Sequence, residues 1–194
     1  MRKMAQILDY PASRYIIKPD EDNRANYVAW LAGEWTCFYV AVEQGTTARL
    51  VSNALQVKQS GGQIVGEVVS AADNKRVVVE AFKAEVINNV ATGRSIHMGG
   101  VAPSGIGTLY CLAKRHNGWL EGYFSGVAQN GDAVDNARFI AVRHNTPDYD
   151  QQILEATTII EREVSMFRIK KLLEAGYNLD DALVMLAALR AAPH

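Results

Sequence analysis

The chain has 194 residues, 48% of them hydrophobic and 21% charged, with 20 basic and 21 acidic side chains and a formal net charge of -1. That length suits one ordinary domain with an appendage, and that composition buries a sizeable core rather than staying disordered. The balanced charge, with no basic run longer than pairs such as Lys170-Lys171 and Lys114-Arg115, argues against nucleic acid or a membrane surface as main partner, because both are held by clustered Lys and Arg.

Residues 1–19 read as irregular, punctuated by Pro11 and Pro19. No apolar core follows Arg2 and Lys3, so no signal peptide is predicted; no apolar run reaches the ~20 residues of a membrane span, and a cytoplasmic location is expected. After Pro19, acidic residues crowd the start of a short helix, where the helix dipole favours them. Tyr27, Trp30 and Leu31 share one face, and Gly33 is a stop signal.

From Glu34 the apolar period changes to two. Turn signals such as "EQGTT", "QSGG", "AADNK", "APSG" and "HNG" separate eight strand-like runs: "EWTCFYVAV", "RLVSNALQV", "QIVGEVVS", "RVVVEAFKAEVI", "RSIHMGGV", "IGTLYCLAKR", "WLEGYFSGV" and "DNARFIAVRH". Tight connections imply an antiparallel meander, and closure into a barrel removes its two edges. Glycines inside the runs, among them Gly66, Gly99, Gly100, Gly122 and Gly126, permit the sharp bends a small barrel needs. In the first run Trp35, Cys37 and Tyr39 share one face and Phe38, Val40 and Val42 the other. Both faces are apolar, so the outside of that strand requires a cover.

Two helices follow. Thr146 is the expected N-cap of the first, with Pro147 at its first position and Gly176 at its end; Ile153, Ile160, Val164 and Phe167 form an apolar stripe. Asn178 is the expected N-cap of the second, with Leu179, Leu183 and Leu186 on one face. The stripe of the first helix is spaced like the seam of a homodimer formed through the C-terminal helices, with packing on the barrel wall as the rival. The fold class is therefore mainly β: an eight-stranded antiparallel meander barrel (33–145) after an N-terminal segment and short helix (1–32) and before a C-terminal helical hairpin (146–194).

Gly33-Glu34-Trp35 after a short helix, then eight strands and a helix, resembles the lipocalin-like (calycin) barrels over roughly Ala29 to His144. In that family a Gly-x-Trp motif opens the first strand, the indole closes the barrel floor, and an arginine near the end of the last strand packs on it. The resemblance implies closure by Gly33, Trp35 and Arg143, with Arg138 as second choice. Three features depart from the family pattern: no secretory signal, no Thr-Asp-x-Tyr-like turn, and a helical hairpin in place of one helix. The implied relatives are intracellular, bacterial-style barrels with a sensing or accessory role.

The chemistry is sparse. Cys37 and Cys111 have no CxxC spacing and read as buried thiols, with a single cross-sheet disulfide as the alternative. His97, His116, His144 and His194 show no HxH or HExxH pattern, so neither metal nor cofactor is expected. "GGVAPSGIG" lacks the order of a phosphate loop, and Ser104 lacks a nucleophile elbow. Glu67, Glu80, Glu85 and Glu121 interrupt apolar strands. Strand parity nominates Tyr39, Tyr110, Tyr123 and Glu121 as the lining of a cavity that opens away from Trp35. The expected function is binding of a small, partly apolar ligand without catalysis. The alternatives are a barrel isomerase or cyclase using a cavity Glu and Tyr, and an accessory protein whose barrel is filled by its own side chains.

Overall fold

The computed structural model describes residues 21–43, 47–72, 75–87, 90–99, 102–113, 118–127 and 134–191, with the side chains of 21–24, 43, 71–75, 97–117, 126–136 and 189–191 outside that description. Helix α1 (Glu21–Leu31) leads into strands β1 (Gly33–Glu43), β2 (Thr47–Ser60), β3 (Gln63–Ala72), β4 (Lys75–Ile87), β5 (Val90–Gly99), β6 (Ala102–Ala113), β7 (Trp119–Val127) and β8 (Val134–Arg143). Helices α2 (Tyr149–Glu174) and α3 (Leu179–Ala191) complete the order.

Each strand pairs antiparallel with the next, and β1 also pairs with β8, from Trp35 opposite Arg143 to Tyr39 opposite Phe139. The ladder is closed and leaves no strand edge among the eight. Between β4 and β5, a Cβ at Gly93 would lie 2.0 Å from the Lys83 carbonyl oxygen and 2.4 Å from the Ala84 Cα. Only a residue without Cβ fits there.

The pleat sorts side chains to two sides of the wall. Trp35, Cys37, Leu55, Val68 and Val86 join the buried inner cluster, together with Val28 and Leu31 of α1. A second cluster lies outside the wall: Phe38, Trp119, Ile140 and Val142 are buried against Ala156 and Ile160 of α2. This is why both faces of β1 are apolar. One fills the barrel and the other is covered by α2.

The apolar stripe of α2 is therefore occupied within the chain. Ile160 is buried against the wall, Ile153 packs on the same cluster, and Val164 is buried. At Ile153 and Ile160 the stripe packs on the barrel wall.

Helix α2 also begins later than predicted. Asp148 holds the N-cap position without a side-chain capping bond, and the Thr146 hydroxyl donates instead to the Arg143 carbonyl at 3.2 Å. Thr146 thus closes the turn after β8 rather than capping the helix. Two further bonds fix this end of α2: the Thr36 hydroxyl lies 2.9 Å from His144 Nε2 and 2.7 Å from the Tyr149 hydroxyl. Asn178 does cap α3, accepting the Asp181 N–H at 2.9 Å.

Candidate functional site

The lower end of the barrel is sealed by three groups that satisfy one helix terminus. The last carbonyls of any α-helix have no partner within it. Here Trp35 Nε1 donates to the Leu31 oxygen at 3.0 Å, Arg143 Nη1 donates to the Trp30 oxygen, and Arg143 Nη2 donates to the Ala32 oxygen at 2.9 Å. The guanidinium lies over the Trp35 ring, 5.5 Å from its centroid, where cation–π attraction adds to the hydrogen bonds. Gly33 sits beneath it with φ 143°, and a Cβ there would meet Arg143 Nη2 at 3.1 Å. Trp30 packs edge-on against Trp35 at 5.2 Å, and Tyr27 stacks on Trp30 at 5.5 Å. Helix α1 is thereby fixed across the barrel end, and Trp35 is fully buried.

Above this floor lies an apolar interior lined by residues that include Leu55, Val57, Ile64, Phe82, Phe124 and Phe139, around a cavity of about 40 Å³. Its polar groups come from β1, β2 and β4. Tyr39 and Glu80 line it, with the thiol of Cys37 one pleat below Tyr39. Asn53 is 8% exposed and donates to the Tyr39 hydroxyl at 2.8 Å. Burial, followed by the neighbouring Cys37 and the charge of Glu80, pushes the Tyr39 phenol up to about 12. Tyr39 is thus held neutral, as a hydroxyl at the edge of an apolar chamber.

Two of the residues nominated from parity stand elsewhere. Leu120 and Phe124 line the interior, so the alternate residues Trp119, Glu121 and Tyr123 face outward. Tyr123 is 52% exposed. Glu121 accepts hydrogen bonds from Trp119 Nε1 at 2.9 Å and Arg138 Nη2 at 2.8 Å. Arg138 reaches on to Glu163 of α2 at 2.9 Å. Burial opposes the Arg138 charge, but the hydrogen bonds to Glu121 and Glu163 outweigh it and hold the guanidinium above its ordinary value. Glu121 therefore belongs to the joint between wall and helix and not to the cavity. Tyr110 pairs with Tyr123 in register, and its side chain lies outside the described residues, as do those of Cys111, His97 and His116. So do the turns at the end away from Trp35, where the mouth is expected.

The carboxylate that does reach the interior is Glu80, one of the four that interrupt strands. Its sequence neighbours carried the signal. Glu80, Phe82, Ala84 and Val86 form one alternate set and Ala81, Lys83, Glu85 and Ile87 the other. The first set is the more apolar and faces in. In β7 the same rule selects Leu120, Gly122 and Phe124 over Glu121, Tyr123 and Ser125. Among the described residues, no three His, Cys, Asp or Glu side chains come together as a metal-binding group.

No family model matches the chain, and no curated protein does. Solved structures show a weak, low-identity likeness. The S-type phycobiliprotein lyase CPES from Guillardia theta is 7% identical, with a TM-score of 0.43 over 63% of this chain and 93% of that one. Rv2717c from M. tuberculosis is 12% identical, with a TM-score of 0.41 over 63% of this chain and 98% of that one. Transferrin binding protein B from serogroup B Neisseria meningitidis is 15% identical, with a TM-score of 0.39 over 57% of this chain. The alignment spans 25% of that longer protein.

Proposed function

We propose that the chain is a non-enzymatic, lipocalin-like barrel that binds a small, partly apolar ligand in its interior. The observation that carries this reading is the buried pair of Tyr39 and Asn53 beside Glu80, in an otherwise apolar chamber closed below by α1. A few fixed polar groups in an apolar cup are what orient a small ligand. The raised Tyr39 phenol also defines what the chamber rejects. Glu80 and burial already disfavour a negative charge there, so a free carboxylate is disfavoured for the same reason. A neutral ligand with a hydrogen-bonding group toward Tyr39 fits.

One observation favours a second reading. A cavity of about 40 Å³ holds on the order of one to a few waters, well under the several hundred Å³ of a ligand pocket of ordinary size. On this reading the barrel is filled by its own side chains and the protein is an accessory or structural one. A thermal-shift and tryptophan-fluorescence screen of neutral metabolites separates the two. A ligand at a hundred times its Kd stabilises the fold by about 2.7 kcal/mol. The binding reading requires that shift to weaken in Tyr39→Phe or Asn53→Ala. If no compound moves the Tm, the filled-barrel reading replaces it.

A further inference from the structure

Donors and acceptors in the barrel interior are unevenly matched at Tyr39. Asn53 Nδ2 donates to the Tyr39 hydroxyl oxygen at 2.8 Å. A phenol carries one hydrogen and accepts through its oxygen. The bond from Asn53 uses the oxygen and leaves the hydrogen directed elsewhere. Among the described residues, Asn53 is the one hydrogen-bond partner of this hydroxyl. Tyr39 lines the cavity with Cys37 and Glu80 as its other polar residues, and the rest of the described lining is apolar. Cys37 and Glu80 already have partners in the fold. The Tyr39 O–H is therefore the open polar group of the lining, and an unmade hydrogen bond in an apolar chamber is costly.

We propose that the chamber takes a neutral carbonyl compound, a ketone or an amide, whose oxygen accepts a hydrogen bond from the Tyr39 hydroxyl. The assignment rests on the reading of the interior as a binding site and names the chemical class of its ligand. An open donor is complemented by an acceptor. A carbonyl oxygen brings two lone pairs and no hydrogen. A ligand hydroxyl would bring a hydrogen of its own into a lining whose acceptors are engaged. An ammonium would set its donors against the Tyr39 hydrogen and give up its water for a mostly apolar surround. A carboxylate could accept, but its charge would stand near that of Glu80. The hydrogen stays on Tyr39 across the neutral range, because burial, then Cys37 and Glu80, push the phenol up to about 12.

Size narrows the class further. At roughly 10–15 Å³ for each water-sized atom, a cavity of about 40 Å³ admits about three or four non-hydrogen atoms. That is a carbonyl group with its two nearest substituents.

Acetone, acetamide, 2-propanol, isopropylammonium and acetate have the same number of non-hydrogen atoms and differ in what they donate, accept and carry as charge. Each is titrated into the full chain. NMR follows the resonances of Leu55, Phe82 and Phe124, and infrared spectroscopy follows the carbonyl band of ¹³C-labelled acetone. Acetone and acetamide are expected to bind more tightly than 2-propanol and roughly tenfold more tightly than the two ions, whose charge must be desolvated. The band of bound acetone is expected below its position in hydrocarbon solvent, as a hydrogen bond to its oxygen requires. In Tyr39→Phe the band should return to the hydrocarbon position, and binding should weaken roughly fivefold, the loss of one neutral hydrogen bond. The wild-type band is read without any substitution, so the test does not depend on how well the variant folds. Binding of 2-propanol as tight as that of acetone, or tighter binding of isopropylammonium, overturns the assignment and leaves the binding reading in place. So does an acetone band that stays where it is in Tyr39→Phe. If no member of the series moves the lining resonances, the assignment falls, and the metabolite screen decides the binding reading on its own.

Discussion

Arg143 joins a helix end, an indole and a strand, and a shorter or differently shaped cation cannot make the same contacts. Its two nitrogens reach the Trp30 and Ala32 carbonyls while the plane lies over Trp35. Lysine offers a point charge without the fork. We expect Arg143→Lys to keep less than half of the contribution and Arg143→Ala to lose roughly 2–4 kcal/mol, by analogy with hydrogen bonds to charged groups plus lost packing. Urea unfolding followed by tryptophan fluorescence reads both, and a loss below 0.5 kcal/mol in Arg143→Ala would contradict the assignment. Tyr39 gives a prediction in pH. Its phenol is raised from 10.0 to about 12 in the folded chain. Below the unfolded value both states hold the proton and its contribution is fully present. Between these two values the unfolded chain releases the proton and the folded chain keeps it, so stability falls as pH rises. The loss at Tyr39 is roughly 1–3 kcal/mol. Tyr39→Phe should flatten that part of the alkaline unfolding curve. It should also cost about 1 kcal/mol at neutral pH, because Asn53 loses its acceptor.

At the scale of elements, the junction between α2 and the wall decides how the hairpin behaves. Ile160 is fully buried between the helix and the β1–β8 surface. Ile160→Ala should cost roughly 2–5 kcal/mol, the range for a large aliphatic truncated in a core. Hydrogen exchange should localise the faster opening to α2 and leave the inner strands protected. Protection lost evenly across the barrel would mean that helix and barrel unfold as one unit. The polar link of Arg138 to Glu121 and Glu163 flanks this junction. Exposed ion pairs contribute little, but this one is partly buried and shares Glu121 with the Trp119 indole. Arg138→Met should therefore destabilise more than Lys170→Met, whose pair with Glu174 lies in solvent and is screened there. Paired denaturation curves decide the order.

For the whole molecule, closure and cover are separate achievements. The β1–β8 pairing closes the ladder without the hairpin. The outer cluster of Phe38, Trp119, Ile140 and Val142, however, is dry only because α2 lies on it. A chain ending at Asn145 would expose these side chains together, and exposed patches of that kind lead to association. We expect it to bind a hydrophobic dye and aggregate. A truncated chain that stays monomeric, binds no dye and keeps its Tm would show that the wall needs no cover. No helix among the described residues is long and apolar enough to cross a membrane.

The sequence by itself determined the strand number, the order and the closed meander, because alternation and turn chemistry are local and recur at each strand. It also pointed to the Trp35–Arg143 floor, since a large ring after a helix stop has few places to go. Two apolar faces on β1 announced a cover before the cover was known. What only the tertiary structure decided is what each side chain of a later strand meets. Alternation within a strand marks its more apolar face, but the partners on either face come from register with neighbours far along the chain. Glu80 and Glu121 are both isolated carboxylates in apolar runs; register turns the first toward Tyr39 and the second toward Arg138. The same holds for α2. An apolar stripe specifies that it must be buried and leaves its partner open, and only the assembled wall, with its own apolar outer face, supplies that partner inside the same chain.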